Sequence, residues 1–83
     1  MTTDQMREII EKVTGSPVRS SAYGMPGERK PMPYACVDDY KLQATIFISG
    51  VTEDAAVKML FDNIAKRYPL QVEAQIERIE AAA

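Results

Sequence analysis

Apolar residues recur at the spacing of an amphipathic helix near the start of the chain. The positions are Met6, Ile9, Ile10 and Val13. Because residues three, four and seven apart lie on the same side of a helix, this pattern predicts a helix over residues 3–14 with one buried face. Gly15 stands where a left-handed residue commonly ends a helix, and Pro17 prevents any continuation.

A second amphipathic pattern predicts a helix over residues 53–68. Its apolar positions are Val57, Leu60, Phe61, Ile64 and Ala65, and Tyr68 extends the stripe. Thr52 is a favourable N-cap, because its hydroxyl can accept a hydrogen bond from an amide in the first turn. Pro69 is expected to end the helix.

Alternation of apolar and polar residues predicts a β-hairpin over residues 34–49. The apolar positions of the longer run are Tyr40, Leu42, Ala44, Ile46 and Ile48. This period of two is typical of a strand with one buried face, here placed over residues 40–49. Residues 34–37 form the preceding strand, and Asp38-Asp39 is the expected turn. Phe47 is the one large apolar residue on the polar side.

Residues 70–80 fit both periodicities. Leu70, Val72, Ala74 and Ile76 alternate as in a strand, whereas Val72, Ile76 and Ile79 have helical spacing. The Glu, Gln, Ala and Arg content favours a helix. A two-stranded hairpin is a poor platform by itself, so a third strand is the favoured interpretation, with a helix as the alternative.

The segment between the first helix and the hairpin, residues 15–33, has little periodicity. It is expected to be an irregular loop, although a short strand can lie within residues 20–25. The resulting order is α-β-β-α-β in one domain over residues 1–83. We therefore expect an α+β two-layer sandwich, with a small, mainly antiparallel three-stranded sheet and two helices on one face.

Composition narrows the classes of function. The 83 residues carry a net charge of −2, which is too small to indicate by itself that the protein attracts a partner of either charge. There is one cysteine, which is typical of a reducing compartment. No signal peptide is recognisable, and no apolar run approaches the roughly 20 residues that span a bilayer. A soluble, cytoplasmic protein without a membrane partner is therefore expected.

The sequence offers little catalytic or metal-binding chemistry. Histidine is absent, so Cys36 has no imidazole to activate it and no partner for a structural zinc site. Cys36 lies in a predicted strand, where a buried apolar side chain is the simpler interpretation. Asp38-Asp39 provides too few oxygen ligands for a calcium loop. We expect no enzyme activity, no cofactor and no metal.

The stretch GMPGERKPMP, residues 24–33, is the least regular part of the chain. Three hypotheses remain open for it: a flexible connection, a loop that binds a partner, or a segment exchanged between two copies. Methionines offer adaptable apolar contacts and prolines lower the entropy lost on ordering, which suits a binding loop. Arg29 and Lys30 offer positive charge for an acidic partner.

These observations predict a protein–protein interaction module: a small adaptor, subunit or inhibitor, of the kind that a phage or other mobile element encodes. The expected binding residues are Arg19, Tyr23, Met25, Arg29, Lys30, Met32, Tyr34 and Phe47. A homodimer would cover Phe47 and an exposed strand edge. The alternatives are a nucleic-acid-binding regulator that uses Arg19, Arg29, Lys30 and the nearby tyrosines, and an enzyme subunit that contributes to a composite site.

Overall fold

The computed structural model describes residues 1–82, which form an α+β fold with the element order α-β-β-β-α-α. The elements are α1 (Thr3–Thr14), β1 (Arg19–Ser21), β2 (Tyr34–Asp39), β3 (Ala44–Ser49), α2 (Glu53–Arg67) and α3 (Pro69–Ala82). The strands form one antiparallel sheet in the order β1-β2-β3. The predicted class, an α+β fold with a small three-stranded sheet, is confirmed.

Local hydrogen bonds explain where the first two helices begin and end. Thr2 and Gln5 form a reciprocal capping box, in which each side chain accepts from the other residue's amide. Gly15 ends α1 in the left-handed conformation, with φ of 82°. The Thr52 hydroxyl accepts from the amide of Ala55 and begins α2.

The core lies between one face of the sheet and the helices α1 and α2. Its buried apolar residues are Ile9, Ile10, Val13, Ala35, Val37, Ile46, Ala56, Val57, Leu60, Phe61, Ile64 and Val72. We call the sheet face that contributes Ala35, Val37 and Ile46 the inner face. α3 contacts α1 and α2 but none of the strands. Two helices therefore cover one face of the sheet, as predicted, and α3 supports them from outside the sandwich.

The strand favoured for residues 70–80 is wrong, because these residues belong to the helix α3. Pro69 is compatible with a first helical turn, where a missing N–H leaves no hydrogen bond unmade. Val72 is buried, and Ile76 and Ile79 pack against the core at helical spacing. Leu70, which the strand pattern needs on the buried side, is 76% exposed. Helix propensity and the i, i+4, i+7 spacing therefore outweighed a short alternation.

The third strand is β1, within the segment expected to be irregular. Ser20 faces Ala35 of β2 and so shares the inner face. Its hydroxyl donates to the Glu53 carboxylate at 2.7 Å, and Arg7 of α1 lies 3.7 Å from the same oxygen. Ser20 thus ties β1 to the N-terminus of α2, and Arg7 ties the same carboxylate to α1. Side-chain contacts therefore add to the pairing with β2 in holding a strand of only three residues.

The β2–β3 turn lies later in the chain than predicted. Asp38 and Asp39 belong to β2, and residues 40–43 form the turn. The Asp39 carboxylate is buried, and its Oδ1 accepts from the amides of Lys41 and Leu42. β3 consequently starts at Ala44, and Tyr40 is 70% exposed instead of lying on the core. The hairpin is correct, but its turn position was wrong because an Asp side chain can organise a turn without glycine.

Asp39 also connects this turn to the junction between α2 and α3. The Tyr68 hydroxyl donates to Asp39 Oδ2 at 2.6 Å, and the Lys41 ammonium lies 4.8 Å from the centre of the Tyr68 ring. The hydrogen bond to Asp39, followed by desolvation, raises the pKa of Tyr68 above its ordinary value. The neutral phenol is thus the form that the fold stabilises.

The central place of Leu60 in the core gives the first prediction. Leu60 is 0% exposed, whereas Met59 beside it in α2 is 49% exposed. Leu60→Ala should lower the free energy of unfolding by about 2–5 kcal/mol, because it removes buried methyl groups and leaves a cavity. Met59→Ala is the matched control, and we expect a change within about 0.5 kcal/mol. Urea denaturation measures both, and equal losses would contradict the assignment of the core.

The Tyr68–Asp39 hydrogen bond gives a prediction on pH. Tyrosine in an unfolded chain titrates near pH 10, and the pKa of Tyr68 is raised in the folded protein. The stabilisation is therefore complete below about pH 10 and is lost as the pH rises through the folded pKa. The difference in phenolate absorbance between the wild type and Tyr68→Phe isolates this group. A midpoint at or below 10 would contradict the hydrogen bond.

Candidate interaction surface

The register of the sheet defines a second face that points away from the helices. Residues paired across antiparallel strands share a face, and successive residues alternate between faces. Since Val37 and Ile46 form an inner pair, Cys36 and Phe47 form an outer one. The outer face consists of Arg19, Ser21, Tyr34, Cys36, Asp38, Thr45, Phe47 and Ser49. None of these side chains belongs to the core cluster formed by residues 1–82.

A stacked aromatic pair lies at the centre of the outer face. The rings of Tyr34 and Phe47 are 5.1 Å apart between centroids and 20° from parallel. Tyr34 is half-buried and Phe47 is 43% exposed, so the stack keeps an accessible apolar surface. Cys36, directly between Arg19 and Phe47 in the register, is only 6% exposed. The thiol therefore belongs to the packed base of this surface.

One end of the outer face is polar and internally paired. Arg19 Nη2 lies 3.0 Å from Asp38 Oδ1, and the Thr45 hydroxyl donates to the same oxygen at 2.7 Å. Both members of the ion pair remain about half exposed, so solvent weakens the attraction between them. Asp38 nevertheless compensates the charge that Arg19 would offer to a phosphate or a carboxylate.

The stretch GMPGERKPMP, residues 24–33, forms most of the loop of residues 22–33 that connects β1 and β2. The Glu28 amide donates to the Met25 carbonyl at 3.3 Å, with Pro26 and Gly27 at the two central positions. Gly27 has φ of 87°, so these four residues have the signature of a type II turn. At the base of the loop Gly24 lies against Pro31, and a Cβ on Gly24 would overlap with the proline ring. The loop is thus a closed extension of a β-hairpin.

The eight predicted binding residues separate into two neighbouring groups. Arg19, Tyr34 and Phe47 lie together on the outer face. The other five are exposed in the loop of residues 22–33: Tyr23, Met25, Arg29, Lys30 and Met32. The remaining five residues of the outer face were not among the predicted residues: Ser21, Cys36, Asp38, Thr45 and Ser49. The strand alternation that exposed Phe47 in the sequence also contained the signal for Thr45.

A depression lies between α1 and α3, away from the outer face, but lacks distinctive chemistry. It has a volume of about 440 Å³ and includes the side chains of Glu8, Lys12 and Arg78. Ser16 Oγ, the buried side-chain polar atom without a hydrogen-bond partner within residues 1–82, is not part of its lining. Across the same residues, no cluster of three potential metal ligands is present, and no helix is both long and apolar enough to cross a bilayer.

Comparison with known proteins does not assign this surface to a family. No protein-family model, curated protein or solved structure matches the chain.

The close contact between Gly24 and Pro31 gives a prediction for the loop. Gly24→Ala should force the two sides of the loop apart, because the added Cβ overlaps with the proline ring. Cleavage by trypsin after Arg29 should then become faster, since proteolysis requires a locally opened chain. Ala22→Ser, which adds one atom at an exposed position of the same loop, is the control. Equal cleavage rates for the two variants would show that the contact does not close the loop.

Proposed function

We propose that the chain is a non-catalytic protein–protein interaction module that binds through the outer face and the loop of residues 22–33. The observation that carries this proposal is the exposed Tyr34–Phe47 stack, on a sheet face that no helix of residues 1–82 covers. Aromatic residues, methionine and arginine are enriched where proteins bind one another. An exposed apolar centre with polar neighbours is also the usual arrangement of an interface.

The chemistry of the surface indicates what kind of protein it fits. The aromatic stack accepts an apolar side chain of the partner, and Met25 and Met32 add adaptable contacts in the loop. Arg29 and Lys30 are exposed beyond the type II turn, where they can approach acidic residues. The partner surface should therefore have an apolar centre with carboxylates to one side.

Nucleic-acid binding is the second candidate, and the same aromatic pair is the observation that favours it. Aromatic rings exposed on a sheet can stack on unpaired bases. Two facts make this candidate weaker than protein binding. Arg19 is already paired with Asp38, and the net charge of the chain is −2. Binding that strengthens as salt is lowered, and that depends on Arg29 and Lys30, would favour it.

The proposed function is tested by asking whether capture of a partner depends on the outer face. The wild type, Phe47→Thr and Met59→Gln are immobilised and exposed to a host lysate with and without nuclease treatment. Threonine keeps the preference for a strand, and Met59→Gln removes a similarly exposed apolar side chain from α2. We expect the wild type and Met59→Gln to retain the same protein. Phe47→Thr should weaken its binding by about tenfold or more, which is typical of a central aromatic contact.

The loop is tested separately in the same experiment. Arg29→Glu combined with Lys30→Glu should leave the fold intact, since exposed charge changes shift stability little. It should reduce capture of the partner if the loop contributes to binding. Full capture by this double variant would restrict the site to the sheet. Full capture by Phe47→Thr, or loss of capture after nuclease treatment, would overturn the proposed function.

A further inference from the structure

The free edge of β3 is a second exposed feature of the sheet, distinct from the outer face. β3 is at one end of the strand order, so its far side has no neighbouring strand within residues 1–82. Edge strands expose main-chain donors and acceptors, and proteins commonly protect them with lysine, proline or a bulge. The sequence of β3, ATIFIS, contains no charge and no proline, and its register with β2 is unbroken over six residues.

The hydrogen bonds identify the residues whose main-chain groups point outward. The Gly50 amide donates to the Pro33 carbonyl at 3.0 Å, so these residues form a hydrogen-bonded pair. In an antiparallel ladder such pairs alternate with pairs that do not bond each other. Ala44, Ile46 and Ile48 therefore bond to β2. The N–H and C=O groups of Thr45, Phe47 and Ser49 point to the free edge.

These three residues can pair with the same three residues of a second chain. Consider a two-fold axis that passes beside Phe47 and relates β3 of one copy to β3 of the other. It places Phe47 opposite Phe47 of the second copy, Thr45 opposite Ser49, and Ile46 opposite Ile48. In this register the outer faces of the two copies lie on the same side of the joined sheet. Outer-face residues (odd numbers) pair with outer-face residues, and inner-face residues (even numbers) pair with inner-face residues. The outward-pointing groups form three pairs with two hydrogen bonds each, so each outward N–H and C=O is used. Shifting the axis to Ile46 leaves Ser49 without a partner from β3.

We propose that the chain forms a symmetric dimer in which two β3 strands pair antiparallel about Phe47, giving one continuous six-stranded sheet. A second copy is the occupant, because the strand is chemically symmetric about its centre. The hydroxyl-bearing Thr45 meets Ser49 on the outer face, and isoleucine meets isoleucine on the inner face. No like charges are opposed. This self-complementarity is what a two-fold interface requires.

The dimer enlarges the outer face without covering it. The Tyr34–Phe47 stack of each copy would lie beside that of the other, at the centre of the six-stranded sheet. The proposal does not depend on the proposed partner, because edge pairing uses main-chain groups and is measured on the purified chain. The two hypotheses can therefore fail separately.

The test uses two double variants that differ only at one position. Thr45→Lys with Ser49→Lys places two lysines opposite each other at both ends of the paired strands. Thr45→Lys with Ser49→Glu places opposite charges there instead. Within one chain these positions are four residues apart along the strand, so only a neighbouring strand brings them face to face. Like charges directly opposite each other weaken strand pairing, and opposite charges support it.

Sedimentation equilibrium over a concentration series gives the mass of each protein in solution. We expect the wild type and the Lys/Glu variant to have the mass of two chains. The Lys/Lys variant should dissociate, with a Kd raised about tenfold or more. A wild type that remains a monomer, or a Lys/Lys variant that remains a dimer, would overturn the edge interface. Equal dissociation of both variants would overturn the register.

Hydrogen exchange provides an independent measurement of the same interface. The amide of Phe47, which is the same residue in both proteins, should exchange more slowly in the wild-type dimer than in the Lys/Lys variant, because it becomes hydrogen-bonded. The amides of Ile46 and Ile48, already bonded to β2, are the internal control. Exchange of the Phe47 amide at the same rate in both proteins would contradict pairing through β3.

Discussion

The packing of α1 and α2 on a single face of the sheet is the constraint on which the rest of the structure depends. Ile9 and Ile10 of α1 and Leu60 and Ile64 of α2 are fully buried in the core that the helices form with the inner face. Short chains bury a limited share of their surface, and residues 1–82 place no helix on the other side of this sheet. The outer face must therefore be stable while exposed, which explains the ion pair, the hydroxyl groups and the stacked rings found there.

The junction between α2 and α3 directs α3 away from the outer face of the sheet. Tyr68 ends α2 and is tied through its hydroxyl to Asp39 in the β2–β3 hairpin. Pro69 then starts α3, which returns along α1 and α2 and contacts none of the three described strands. One buried carboxylate thus shapes the hairpin turn and anchors the helix junction. As a result α3 packs on α1 and α2 and does not cover the outer face of the sheet.

The parts of the fold that could be predicted are those where several local signals agree. Residues 3–14 and 53–67 have an apolar stripe, a capping residue and a terminating residue, and both form helices. The sequence of residues 70–80 fits both a strand and a helix. Only its packing against α1 and α2 shows that the segment is a helix. The β2–β3 turn depends on the buried Asp39, whose partner Tyr68 is distant in sequence. β1 is too short for any period to be visible, and its stability comes from Ser20 and Glu53 across the sandwich.

The candidate surface was predictable in part for the same reason. Phe47 was identified because it breaks a regular alternation, which is a local signal. That Tyr34 stacks on it follows from the register of β2 with β3, which depends on a turn that the sequence placed wrongly. That Arg19 reaches Asp38 depends on β1, a strand that the sequence does not reveal. The stretch at residues 24–33 was recognised as unusual, but its closed form depends on the contact between Gly24 and Pro31.

Phe47 occupies a position where the two proposed interactions meet. Its ring points to the outer face, whereas its amide and carbonyl point along the sheet to the free edge. A change of side chain therefore acts mainly on the face, and a charge at Thr45 or Ser49 acts mainly on the edge. Because these directions are perpendicular, one short strand can support self-association and partner binding at once. The two proposed interactions together would account for an exposed aromatic residue on an unprotected strand edge.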